Sequence, residues 1–278
     1  MRKWLAITLI LSLALITPEL VRRANTQEPP TKSTPEIPLS DNLRSFGSSG
    51  SQLASIVDSQ QGVVRVVGTR YPLEEKTIQK VVDKRSLEES AHVSVWNWQG
   101  IEAATASARG LDQQHHFANS YLVGFKPFKT QQLWVPLYTL AMNKEYQYDH
   151  LQYAGLSDIW QTSRQAYYQK RGDCEDHAIL LADWLIELGV DARVALGTHK
   201  GQGHAWVVAI LNDQEYLLEA TSKRRQTSWQ AMPLAALAEG YDAEFQFNRH
   251  FFWAKKNPTP TRQYRGNHWV KKSQFIRG

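Results

Sequence analysis

The sequence predicts an α+β domain in which one helix packs on a small antiparallel sheet, and three stretches predict it. Cys174 to Gly189 is apolar at helical spacing, with Ala178, Leu181, Ala182, Leu185 and Leu188 on one face. Val190 to Gly197 is a short strand-like run. His204 to Leu211 and Glu215 to Thr221 flank an Asn212-Asp213 turn signal and form a hairpin.

The helix begins at a chemically informative place. Gly172-Asp173 is a turn signal, Cys174 opens the helix, and Gly189 supplies its stop. A helix N-terminus exposes unpaired N–H groups and the positive end of the dipole, which favours a thiolate. Glu175 and Asp176 oppose that shift, so a reactive Cys174 needs a cationic partner. His204 opens one strand of the hairpin and Glu219 lies near the end of the next, which brings the two together across it. With the helix start packed at the same sheet edge, Cys174, His204 and Glu219 make a nucleophile, a base and an orienting carboxylate.

Gly-Asp-Cys-Glu-Asp-His-Ala, the Leu-Gly-Val helix end, Ala-Arg-Val, Gly-His-Ala-Trp-Val-Val and Tyr-Leu-Leu-Glu-Ala-Thr together resemble the transglutaminase-like superfamily. The likeness spans roughly residues 155–225 and looks nearest to the bacterial transglutaminase-like cysteine proteinases. It implies a papain-like, transglutaminase-like core and a Cys-His-Asp triad for acyl transfer, carried here by Cys174 and His204. At the third position this chain has Glu219 where the family generally has Asp, one methylene longer. Asp213 is the nearest competing acid, but it sits in the turn. The activity implied is hydrolysis of an amide bond in a protein or peptide through an acyl-enzyme. The alternatives are a non-catalytic binding module on the same fold and a protein-crosslinking transglutaminase.

The chain has 278 residues, a formal charge of +5 and ten tryptophans, a balance far from that of a nucleic-acid-binding protein. Met1-Arg2-Lys3 precede an apolar run from Trp4 to Ile16, which Pro18 and Glu19 end. Residues 1–21 therefore read as a signal peptide or signal anchor, and the protein as exported: periplasmic, or held on the inner membrane facing the periplasm. A single cysteine in an exported chain has no intramolecular disulfide partner, which draws attention to its reactivity.

Residues 22–55 are rich in Pro, Thr, Glu, Ser and Gly and read as a flexible linker. Residues 56–150 form an N-terminal extension of the domain, with strands at Val63–Val67 and Val93–Trp98, a helical stripe over Glu74–Leu87 and a buried segment over Leu133–Met142. Gly100 to Gly110 is small and polar and carries no assignment. The catalytic core covers 151–245, with a helix from Ser157, as N-cap, to Lys170 and a helix-like run from Trp229 to Gly240. Residues 246–278 are a basic aromatic segment read as wrapping the domain with its aromatics inward.

The Cys174 N–H is one oxyanion donor, and Trp160, Tyr168 and Gln169 are candidates for a second. No cofactor is expected. Asp173, Glu175 and Asp176 offer oxygens that suit Ca²⁺ but are few for a calcium cage. Cys174, His177, His199 and His204 do not have a zinc spacing, and His115-His116 read as surface histidines.

Overall fold

The computed structural model describes residues 58–70, 72–73, 91–222 and 232–278. The N-terminal signal, the linker, the Glu74–Leu87 helix and residues 223–231 lie outside them. No helix among the described residues is long and apolar enough to cross a membrane.

In chain order the strands begin with β1 (Gly62–Val66), β2 (Pro72–Leu73), β3 (Ala91–Trp98), β4 (Ile101–Gly110) and β5 (His115–Phe117). Helix α1 (Val135–Asn143), β6 (Glu145–Tyr146), α2 (Asp149–Gln152), β7 (Ile159–Trp160), α3 (Ser163–Tyr168) and β8 (Arg171–Gly172) lead to α4 (Cys174–Glu187). Then come β9 (Asp191–His199), β10 (Gln202–Leu211), β11 (Gln214–Leu218), β12 (Tyr241–Phe247), β13 (Phe251–Lys255) and β14 (Trp269–Arg277).

The main sheet runs β11-β10-β9-β12-β13-β14-β1-β2, and β3-β4-β5 form a second sheet to which β7 adds in parallel. Helix α4 is the centre of the core. Its Ala178, Leu181, Ala182 and Leu185 pack with Ala192, Val194, Ala205, Val207 and Ala209 of β9 and β10, in a cluster that extends to Ala104, Ala106 and Ala108 of β4. Each fully buried leucine there stabilises the fold by roughly 2 kcal/mol. Alternation puts Trp206 and Val208 on the opposite face, where they join Ala195, Trp253, Tyr264 and Trp269.

The ends of α4 follow from its sequence. Gly189 adopts φ +86°, its N–H donates to Ile186 O at 2.9 Å, and Val190 N–H donates to Leu185 O at 3.0 Å. That is the paired closure a glycine permits after a helix. At the start, a Cβ on Gly172 would meet Asp176 Oδ2 at 2.7 Å, so a side chain there would displace the first turn.

Two sequence expectations are corrected and one unassigned stretch is placed. The helix placed from Ser157 starts only at Ser163, with Thr162 as its cap in a capping box with Gln165. Ile159 and Trp160 are instead extended beside Arg109 and Gly110, because their amide surroundings favour it: Ile159 N–H donates to Asp149 Oδ2 and Gln161 N–H to Asp176 Oδ1. The unassigned Gly100–Gly110 stretch contains β4, whose small residues bury almost completely from Ala103 onward. From residue 232 the helix-like run is an edge-strand companion, with Leu217 N–H donating to Pro233 O at 3.0 Å, followed by a short 3₁₀ turn at Ala235–Leu237.

The C-terminal segment packs its aromatics inward: Phe252, Trp253, Tyr264, Trp269 and Phe275 are all buried. It does so as β13 and β14, and β14 pairs in turn with β1.

Candidate functional site

The hairpin brings His204 and Glu219 together. His204 Nε2 lies 2.8 Å from Glu219 Oε2. Glu219 sits one residue beyond β11, where the chain turns, and Thr221 holds its other oxygen through N–H at 3.1 Å and Oγ1 at 2.6 Å. Tyr241 Oη donates to Glu219 Oε2 at 2.9 Å. Burial alone would raise the Glu219 carboxyl, but the His204 hydrogen bond and charge, with Thr221, hold it at about 2. The longer acid thus reaches the imidazole and is ionised. Asp213, the competing acid, is exposed and pairs with Arg265 at 2.8 Å.

Cys174 reaches the same edge but is bonded differently. The Ala205 backbone N–H faces its sulfur, one residue from His204. The thiol itself donates to Glu175 Oε2 at 3.3 Å. Burial pushes the thiol up, and the charge of Asp173 adds to it; the Ala205 amide and Glu175 only partly offset this. The thiolate that the helix start would favour is therefore opposed by the pocket around it.

That pocket is acidic. Asp149, Asp173, Glu175 and Asp176 place carboxylate oxygens within 4.8 Å of one another. Burial raises all four carboxyls, Asp149 to about 8 and Asp173 to about 7, and their mutual charges contribute. Asp176 accepts Gln161 N–H at 2.8 Å and Gln161 Nε2 at 2.7 Å. Both its oxygens are engaged, so the group offers fewer free oxygens than the six to eight of a calcium cage.

Residues 158–265 match a family model described as the CEP76 peptidase-like domain. The matched span is less than half of the chain. Centrosomal protein of 76 kDa from Xenopus tropicalis is 40% identical over 60 residues, which are 21% of this chain and 9% of that protein. Protein CC2D2B from Homo sapiens is 36% identical over 104 residues, 37% of this chain and 7% of that protein. The Mus musculus Centrosomal protein of 76 kDa is 42% identical over 60 residues, again 21% and 9%. The chain thus spans under a tenth of the length of these relatives. The kinship found runs to these proteins rather than to the bacterial cysteine proteinases that the sequence reading indicated.

The CEP76 peptidase-like match encloses Cys174, His204, Glu219 and Tyr241. Of the second oxyanion donors considered, Trp160 is committed elsewhere, its Nε1–H donating to Asp158 Oδ1 at 3.0 Å. Tyr168 packs its ring against Tyr167 and Phe125. The backbone carbonyl of Gln169, the third, accepts from Lys144 Nζ. His177 is buried, with its ring edge-on to Tyr146. His115 and His116 are half-buried, and His116 pairs with Asp112 at 2.9 Å. Sequence reasoning missed Asp149, Thr221 and Tyr241 as parts of the site, and it weighed His199 only as a zinc ligand whose spacing did not fit. Tyr241 comes from β12, far along the chain, and only the β9–β12 pairing brings it beside His199.

Proposed function

We propose that this domain is a non-catalytic recognition module for a protein or peptide segment, built on a peptidase-like fold with Cys174 held as a neutral thiol. One observation carries the reading: Cys174 sits among clustered acids, Asp173 and Glu175 beside it and Asp149 and Asp176 behind them, with Glu175 as its side-chain hydrogen-bond partner. A nucleophile needs the opposite, a cationic or basic neighbour that takes its proton. The test is iodoacetamide labelling across pH. Cys174 should react more slowly than a free thiol at neutral pH, and His204→Ala should not change its profile. Labelling well below the free-thiol pH range, lost in His204→Ala, would defeat the reading.

A second reading is favoured by the His204–Glu219 pair. In it the domain is a thiol-dependent amide hydrolase. Cys174 attacks the carbonyl, His204 passes its proton to the leaving amine, Glu219 orients the ring, and water releases the acyl group. Intact mass spectrometry with an activated peptide ester separates the two readings, since only the hydrolase forms a thioester on Cys174.

Placement in the cell envelope, with a substrate or partner there, rests on the basic and apolar N-terminal run of Met1 to Ile16. Recovery of the native protein wholly in a cytoplasmic fraction would overturn it.

A further inference from the structure

We propose that His199, His204 and Glu219 form a binding site for Zn²⁺, the metal replacing the proton that His204 and Glu219 share. One ring nitrogen from each histidine and one Glu219 oxygen lie within 4.8 Å of one another. Tetrahedral zinc with ligands at about 2.0–2.1 Å sets them about 3.3 Å apart, so the side chains need move by about 1.5 Å or less. Two imidazoles and a carboxylate are a donor set that zinc takes, and three protein ligands leave a fourth position for water or a partner's donor.

The strands fix this arrangement. His199 is the Cα partner of Gln202 in β10, and His204 lies two residues further along the same face. His199 is also the partner of Tyr241 in β12. The two rings stack at 4.1 Å with 5° between their planes, which holds the His199 imidazole toward His204, 5.6 Å away between ring centroids. Gly240, the residue before Tyr241, takes φ +80°, a backbone conformation that favours glycine. Thr221 and Tyr241 hydrogen-bond to Glu219 and supply the outer support that orients a ligating carboxylate.

The inference does not depend on the recognition reading. It has a consequence for the hydrolase reading, because a neutral His204 imidazole that binds zinc through the nitrogen facing Glu219 carries its proton on the other nitrogen and cannot take one from the thiol. A competing set of donors is Asp173, Cys174 and Glu175. Its thiol is hydrogen-bonded to one of its own acids and must lose its proton to ligate, which makes it the poorer site.

The test is calorimetric titration of the full chain with ZnCl₂ near neutral pH. One site of micromolar affinity or tighter is expected. Affinity should fall at least about tenfold in His199→Gln and in Glu219→Gln, and be retained in Cys174→Ser. His199→Cys, which keeps a zinc ligand, should bind more tightly than His199→Gln. Zinc should raise the unfolding midpoint of the native chain and not that of His199→Gln, whose metal-free midpoint reports whether it folds. No binding at about 100 µM Zn²⁺, or loss confined to Cys174→Ser, would overturn the assignment.

Discussion

The Cys174 thiol donates to Glu175 Oε2 at 3.3 Å, so the lone thiol of this chain is hydrogen-bonded to an acid of its own helix turn. The neighbouring Asp173 adds a charge that disfavours the thiolate. Asp173→Asn removes that charge while keeping the shape. Alkylation of Cys174 at pH 8 should then rise several-fold over the native protein. Glu219→Gln should leave the rate unchanged in the recognition reading and lower it in the hydrolase reading. A rate insensitive to Asp173→Asn would mean that burial alone sets the thiol.

The acidic pocket also predicts how stability depends on pH. Asp149 is buried and its carboxyl is pushed up to about 8, whereas an unfolded aspartate titrates near 4. Between those values the folded chain keeps a proton that the unfolded chain has released. Stability is therefore full below about pH 4 and falls as pH rises toward 8. Glu219 acts in the other direction, held at about 2, so its contribution is present above the unfolded value and lost as pH falls through it. Thermal unfolding should show a maximum near pH 5 and a loss on the order of a few kcal/mol by pH 8.5. Asp149→Asn, which can still accept from Ile159 N–H, should flatten the alkaline side.

The central helix, its glycine stop and the His204–Glu219 pair were legible in the sequence because each rests on local signals. Apolar spacing marks the α4 face, a positive-φ glycine marks its end, and the Asn212-Asp213 turn, with both residues at positive φ, sets the hairpin register. The rest depends on long-range pairing. β4 buries alanine, serine and threonine, so it lacks the hydrophobic signal of an interior strand. Ile159 and Trp160 look helical in isolation and are extended because Asp149, Asp176 and β4 take up their surroundings. Tyr241 joins Glu219 through strands that no local pattern connects. The raised thiol was half legible: the flanking acid Asp173 is in the sequence, but the desolvation that the fold imposes on the sulfur is not.

Gly197 gives a direct test of the strand packing beneath the site. It is the Cα partner of His204 in β10 and of Ala243 in β12. A Cβ on Gly197 would collide with the Asp242 carbonyl and stand 2.8 Å from Ala243 Cα, both backbone atoms that cannot rotate away. Gly197→Ala should cost about 3 kcal/mol in urea unfolding and loosen the β9–β12 pairing that places Tyr241. Gly201→Ala is the control: its φ is +79° but it has open space, so about 1 kcal/mol of backbone strain is the whole expected cost.

The last prediction concerns the charge that anchors the far end of α4. Asp183 is fully buried and accepts from Gly124 N–H at 2.9 Å, Phe125 N–H at 2.8 Å and Arg249 Nε at 2.6 Å. Arg249 also reaches Glu187 at 2.8 Å, tying the β12–β13 turn to the helix. Removing one partner of a buried pair strands the other, at a cost of about 3–5 kcal/mol, so Asp183→Ala and Arg249→Met should each destabilise by that order. Arg249→Met leaves the Asp183 carboxylate with its amide donors, so it should be the milder of the two. The double variant should lose less than the sum of the singles, because neither charge is left alone. Additive losses in denaturant unfolding would show that Asp183 serves the 124–125 backbone and Arg249 serves Glu187, with little exchanged between them.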